Sequence, residues 1–139
     1  MRKRTIQYCI KHALKKLEHH PADKFLHYSF IIVNDSIISV GVNFKDSTNV
    51  PKGFGYHDLG YVYNGKVTGP TTHSEVNAYN KAKSNIKPNE PFEVLNIRFN
   101  QYGELRMSQP CKCCNNFLKA LGCKCVYFST DGGIARLKY

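Results

Sequence analysis

The chain has 139 residues, 20 Lys plus Arg against 10 Asp plus Glu, six cysteines and no tryptophan, which gives a formal net charge of +10. A chain of this length buries roughly 68–70% of its unfolded surface, so a single domain over residues 1–139 with a real core is expected, and the cysteines need not be disulfide staples. A hydrophobic fraction of 42% excludes a disordered basic tail, and the longest clean apolar run, Phe30-Ile31-Ile32-Val33, is far too short for a membrane span.

Met1-Arg2-Lys3-Arg4 leads into Ile6, Cys9, Ile10, Ala13, Leu14 and Leu17, whose spacing of three and four predicts an amphipathic first helix. Nothing here has the apolar centre and cleavage site of a secretory signal. A reducing cytoplasm is the expected compartment, and clustered cysteines there more often mean metal or catalysis than disulfides. The charge excess is confined to the two ends: residues 1–20 and 106–139 each carry six bases and one acid, while residues 21–105 carry eight of each. Such ends fit either a polyanion or an ordinary solvated surface.

After His20-Pro21, two β-rich runs, Phe25 to Val33 and Ile37 to Val42, flank the turn residues Asn34-Asp35-Ser36 and read as a hairpin with both faces covered. The segment from Asn43 to Thr72 is rich in glycine and aromatics, with Phe54, Tyr56, Tyr61 and Tyr63, and is a candidate wall of a binding site. Within it, Asn64-Gly65 between alternating runs predicts a second hairpin. A helix is expected from His73 to about Ser84 and a strand from Phe92 to Phe99. A further helix then runs from Cys111, behind Pro110, to Leu121, with Gly122 as its stop. Strands over Cys123–Phe128 and Ile134–Lys138, joined by a turn, close the chain.

The chemistry sits in His73-Ser74-Glu75 and Pro110-Cys111-Lys112-Cys113-Cys114, each opening a helix. Catalytic Zn²⁺ takes three protein ligands and keeps a fourth position for water. A His at one helix start and two Cys three apart at another can converge on one ion, because residues i and i+3 share a helix face and the helix N-terminus favours thiolates. His73, Cys111 and Cys114 are therefore the expected ligands. Glu75 is too hard a ligand for a site with two thiolates, and its natural role is to carry protons for the activated water.

This pattern resembles the zinc-dependent cytidine and deoxycytidylate deaminase superfamily, with its H-x-E and P-C-x-x-C motifs. His73-Ser74-Glu75-Val76-Asn77-Ala78 is similar to the family's His-Ala-Glu-x-Asn-Ala, with Ser74 in place of Ala, and Gly41-Val42-Asn43 is similar to its Gly-x-Asn. The resemblance implies a three-layer α/β/α fold around a mixed five-stranded sheet, one catalytic Zn²⁺, Glu75 as catalytic acid and base, and Asn43 on the substrate sugar. It implies that the first helix lies on the sheet face opposite the two metal-binding helices. It also implies hydrolysis of cytosine to uracil with release of ammonia. Ser129-Thr130-Asp131-Gly132-Gly133 is too short for a crossover helix, so the last two strands should pair antiparallel, as in free-cytidine deaminases and certain toxin deaminases.

The expected partner is a free cytosine nucleoside or nucleotide; the alternative is cytosine, less readily adenine, within single-stranded DNA or RNA, and homo-oligomers are common in this superfamily. A rival of another class is a structural zinc module built from Cys111, Cys114, Cys123 and Cys125, the last two alternating on one strand and so sharing a face. Cys113 should point away from the ligands, Cys9 into the apolar stripe of the first helix, and His12, His19, His20, His27 and His57 should be surface or satisfied polar residues. His57 alone of the other histidines could touch substrate.

Overall fold

A computed structural model describes residues 1–19, 27–43, 62–63, 66–67 and 73–139. Helix α1 (Lys3–His19) is followed by strands β1 (His27–Val33) and β2 (Ser36–Val42), then the short β3 (Val62–Tyr63) and β4 (Lys66–Val67). Helix α2 (Ser74–Ala82) runs into a 3₁₀ turn at Lys83–Asn85. Then come β5 (Phe92–Phe99), β6 (Leu105–Arg106), α3 (Lys112–Ala120), β7 (Cys123–Thr130) and β8 (Gly133–Lys138). Phe54, Tyr56, Tyr61, His20 and His57, with most of the expected binding-site wall, lie outside the described residues.

The main sheet runs β2-β1-β5-β7-β8, the expected five strands, and β6 adds a sixth by pairing with the end of β5. Two residues carry no periodicity, which is why β6 leaves no trace in the sequence pattern. β5 and β7 are parallel, whereas β7 and β8 are antiparallel around a tight turn, as the short Ser129–Gly133 stretch predicts. Asn34 and Asp35 both take positive φ, 48° and 64°, and this two-residue turn matches the right-handed twist of the β1–β2 hairpin. β3 and β4 pair with Val62 opposite Val67, the register the second hairpin signal predicts.

β1 is buried from Tyr28 to Val33 because its two faces supply two cores. Tyr28, Phe30 and Ile32 join Leu95, Ile97 and Phe99 of β5 beneath Cys9 and Ala13 of α1, with Ile6, Ile10, Leu14 and Leu17 around them. On the other face, Ile31, Val33, Val94 and Val126 pack against Val76, Ala78 and Ala82 of α2 and Cys114, Phe117 and Leu118 of α3. The result is three layers, with α1 on the face opposite α2 and α3. No helix among the described residues is long and apolar enough to cross a membrane.

Gly41 sets how closely α2 approaches the sheet. A Cβ there would stand 2.7 Å from the Ser74 carbonyl oxygen, 2.8 Å from Ala78 Cα and closer still to the Ala78 nitrogen, so only glycine lets the helix backbone lie on β2. The outer edge of β2 is covered by the same helix: Asn77 Nδ2 donates to the Val42 carbonyl at 3.0 Å and Lys81 Nζ to the Val40 carbonyl at 3.2 Å, while Ser39 Oγ donates to the Ala78 carbonyl at 2.6 Å.

Cys123 and Cys125 do not share a face. β5 pairs Phe92 with Cys123 but Glu93 with Cys125, so Lys124 is an extra residue in the ladder. Such a bulge reverses the alternation of what precedes it. Cys123 therefore joins the core under α2 and α3, whereas Cys125 Sγ donates to Glu93 Oε2 at 3.0 Å.

Candidate active site

His73 and Cys111 are the N-caps of α2 and α3, both with extended backbone, at φ −71°, ψ 155° and φ −64°, ψ 164°. Each carbonyl starts its helix by accepting from the residue four further on, Asn77 at 3.1 Å and Asn115 at 2.8 Å. The two caps meet: His73 Nδ1 lies 3.5 Å from Cys111 Sγ and 3.3 Å from Cys114 Sγ. The three ligand atoms all fall within 4.8 Å of one another. With Zn–S near 2.3 Å and Zn–N near 2.0–2.1 Å, such separations suit one tetrahedral ion, and one nitrogen with two sulfurs is a fitting donor set.

The Cys111 Sγ also accepts from the Cys114 backbone nitrogen at 3.4 Å. Hydrogen bonding from Cys114, reinforced by His73, pulls the Cys111 thiol down to about 4 in spite of burial, and the same bond holds Cys114 protonated well above the ordinary range. Cys113 points elsewhere, buried in the core of α2 and α3 and pushed up to about 12 by that burial. Among the described residues no other group of His, Cys, Asp or Glu side chains gathers in this way, so the four-cysteine cluster is not assembled. Cys123 Sγ is spent on the Cys125 carbonyl at 3.3 Å.

Glu75, in the first turn of α2, is only 6% exposed. Burial raises its pKa, opposed by hydrogen bonds to its charged form and by His73. A hidden carboxyl at a helix N-terminus beside an N/S/S cluster can accept and return a proton.

The residue that aims it, Asn96 in the middle of β5, has no counterpart in the motif reading. Asn96 Nδ2 donates to Glu75 Oε1 at 2.8 Å and to the Ser108 carbonyl at 3.2 Å, and Asn96 Oδ1 accepts from Ser29 Oγ at 2.6 Å. Both amide hydrogens and the amide oxygen are engaged, which fixes the orientation of the group. Ser74 also takes part, its Oγ standing 2.7 Å from Ser29 Oγ and 3.3 Å from Glu75 Oε2, so the replacement of Ala by Ser adds a hydrogen bond. Ser29 and Asn96 are buried polar residues in mostly apolar strands and sit directly opposite each other, a pairing visible only once β1 and β5 are known to be neighbours.

The network continues toward α3. Ser108 N donates to the Ser129 carbonyl and Ser129 N to Ser108 Oγ, both at 2.9 Å, while Ser108 Oγ donates to the Asn96 carbonyl at 2.9 Å. These bonds clamp the segment before Pro110-Cys111 between β5 and β7, and so deliver Cys111 to His73. At the mouth, Asn43 Oδ1 accepts from the His27 backbone nitrogen at 2.9 Å, which sets the plane of the Asn43 amide. Burial, then Arg98 and His73, lower the pKa of His27 to about 4, so it is neutral at physiological pH.

The family model for the cytidine and deoxycytidylate deaminase zinc-binding region matches residues 3–130. The chain belongs to this deaminase family. It is accordingly a hydrolase of the deaminase type with a zinc-binding domain. No curated protein matches this deaminase in sequence. Among solved structures, it is similar to the dCMP deaminase of cyanophage S-TIM5 in complex with dCMP and dUMP, at 19% identity and a TM-score of 0.54, over 92% of this chain and 82% of that one. The apo form of the same phage enzyme is similar at 18% identity and a TM-score of 0.48, over 92% and 84%.

Proposed function

We propose that this protein deaminates cytosine to uracil in a free cytidine or deoxycytidine nucleoside or nucleotide, with His73, Cys111 and Cys114 holding Zn²⁺ and Glu75 as the catalytic acid and base. The observation that carries the reading is the buried Glu75 carboxyl, held by Asn96 two residues from an N/S/S cluster of the right size for one ion. Zn²⁺ bound there supplies the activation of water for attack at C4 of the base. Glu75 takes one proton from the attacking water and gives it to ring N3, then takes the proton of the resulting C4 hydroxyl and delivers it to the amine, which leaves as ammonia as the C4–O double bond forms and the C4–N bond breaks. Its raised pKa suits a group that must be a base and then an acid near neutral pH. Asn43 orients the sugar. The phage relative bound to dCMP and dUMP supports a pyrimidine nucleotide as substrate.

Ammonia release from cytidine, deoxycytidine, dCMP and a cytosine-containing single-stranded oligonucleotide tests this, alongside Glu75→Ala. The expected result is turnover of one or more monomers by the wild type, and loss of turnover with zinc retained in the variant. Turnover of the oligonucleotide alone would establish the strand as substrate, and a Glu75→Ala variant with wild-type turnover would sink the mechanism.

A further inference from the structure

Two arginines stand side by side at the end of β5, beyond Asn96. Arg98 pairs with His27 across β1–β5 and with Arg106 across β5–β6, and directly paired residues project to the same face of a sheet. That face is the one carrying Asn96, two residues earlier on the same strand, so Arg98 lies about 7 Å beyond the residue that holds Glu75. Both arginines line an open groove of about 440 Å³, together with Asn100, Tyr102, Met107 and Asp131. This volume lies within the range of small-molecule sites.

Arg98 Nε is buried and has no hydrogen-bond partner among the described residues. A buried donor left unpaired is costly, and an anion in the groove would satisfy it. Among the described residues, the Arg106 guanidinium makes a bond from Nη1 to its neighbour's carbonyl at 3.1 Å and a solvent-exposed approach of Nη2 to Glu104 at 3.8 Å. Among the described residues, Asp131 is the single acid lining the groove, against Arg98 and Arg106. His27, the third group on this layer, is neutral and does not add charge at physiological pH.

We propose that Arg98 and Arg106 form a subsite for a phosphate group of the cytosine substrate. The proposal rests on the deaminase reading and specifies what is attached to the base. A guanidinium presents a planar fork of donors that matches phosphate oxygens, and two forks on adjacent strands can take the anion between them. The phosphate belongs either to a nucleotide monoester or to the diester of a strand. Tyr102, 77% exposed, and Met107, 48% exposed, offer an adjoining apolar surface on which a neighbouring base of a strand could rest.

The test compares kcat/KM for dCMP, deoxycytidine and a single-stranded oligonucleotide with one cytosine, in the zinc-loaded full chain and in Arg98→Gln and Arg106→Gln. The wild type should favour a phosphate-bearing substrate over deoxycytidine at least tenfold, and the ratio should fall about tenfold in Arg98→Gln, chiefly through KM. Arg106→Gln, at a more exposed position, provides the second reading if Arg98→Gln folds poorly. A fall in the dCMP ratio assigns a monoester, and a fall confined to the oligonucleotide assigns a diester; a ratio unchanged in both variants overturns the subsite. Calorimetric titration with dUMP and deoxyuridine separates the two hypotheses. Arg98-dependent dUMP binding without turnover of any substrate supports the subsite and overturns the deaminase reading, whereas turnover indifferent to phosphate does the reverse.

Discussion

Asn96→Ala tests whether the polar network aims Glu75. The substitution removes the 2.8 Å bond to the carboxylate, the partner of the Ser108 carbonyl and the acceptor for Ser29 Oγ, in a position only 2% exposed. A hydrogen bond to a charged group contributes about 1.5–3 kcal/mol, which corresponds to a fall in kcat/KM of about 10- to 150-fold. That is smaller than the ~10²–10⁴-fold expected for loss of the acid and base itself. Stability should drop by about 2–4 kcal/mol, because buried polar groups lose their partners. The pH profile distinguishes aiming from mere support. Asn96 donates to the charged form of Glu75 and so lowers its pKa; without it the pKa rises, and the acid limb of kcat/KM must move to higher pH. Steady-state ammonia release from pH 5 to 9, with urea unfolding and zinc content measured on the same sample, reads all three. A folded, zinc-loaded Asn96→Ala enzyme within threefold of wild-type kcat/KM and with an unmoved acid limb would refute the reasoning.

Gly41→Ala should cost at least about 1–3 kcal/mol and weaken zinc binding, because the new Cβ meets backbone atoms of Ser74 and Ala78 that cannot rotate aside; an unchanged melting temperature contradicts this. His27 makes stability pH-dependent in one direction. Its folded pKa of about 4 lies below the ordinary 6.5, so between these values the unfolded state binds more protons, and stability present above pH 6.5 is lost as the pH falls toward 4, by about 3 kcal/mol at most. Urea midpoints at pH 4.5 and 7.5 should differ less in His27→Gln than in the wild type. Cys114→Ser should abolish stoichiometric zinc, whereas Cys113→Ser should keep it, as measured by metal analysis after dialysis.

Legibility from sequence followed how local the determining physics is. The bounds of β5, Phe92–Phe99, are readable because apolar density and flanking turns suffice, and the metal cluster is readable because ligand spacing at two helix starts is a local constraint. Cys111 was expected to begin a helix and is its N-cap, a shift of one residue that turns on whether its thiol accepts from Cys114 N. The face of Cys123 is not legible in the sequence, because the single bulge at Lys124 depends on how β7 meets β5, which no alternation pattern within β7 records. Asn96 escaped because its meaning lies in partners 12, 21 and 67 positions away. Ser29 opposite Asn96 becomes informative only once β1 and β5 are known to be neighbours.

The same topology redistributes the meaning of the net charge. The six bases of residues 1–20 are exposed on or beside α1, and α1 covers the sheet face away from His73, Glu75 and Cys111. At the screening length of physiological salt, about 8 Å, charges across a sheet and a helix layer contribute little to a substrate at the zinc cluster. The bases that matter are selected by strand register instead: Arg98 and Arg106 are adjacent because β6 pairs with the end of β5, and they face the site because Arg98 is an even step from Asn96. One of them, Arg98, falls within the stretch of the chain whose charges cancel. Electrostatic recognition in this deaminase therefore depends on the placement of two residues and can be removed without altering the basic first helix, so a variant lacking the α1 bases should retain its preference between dCMP and deoxycytidine.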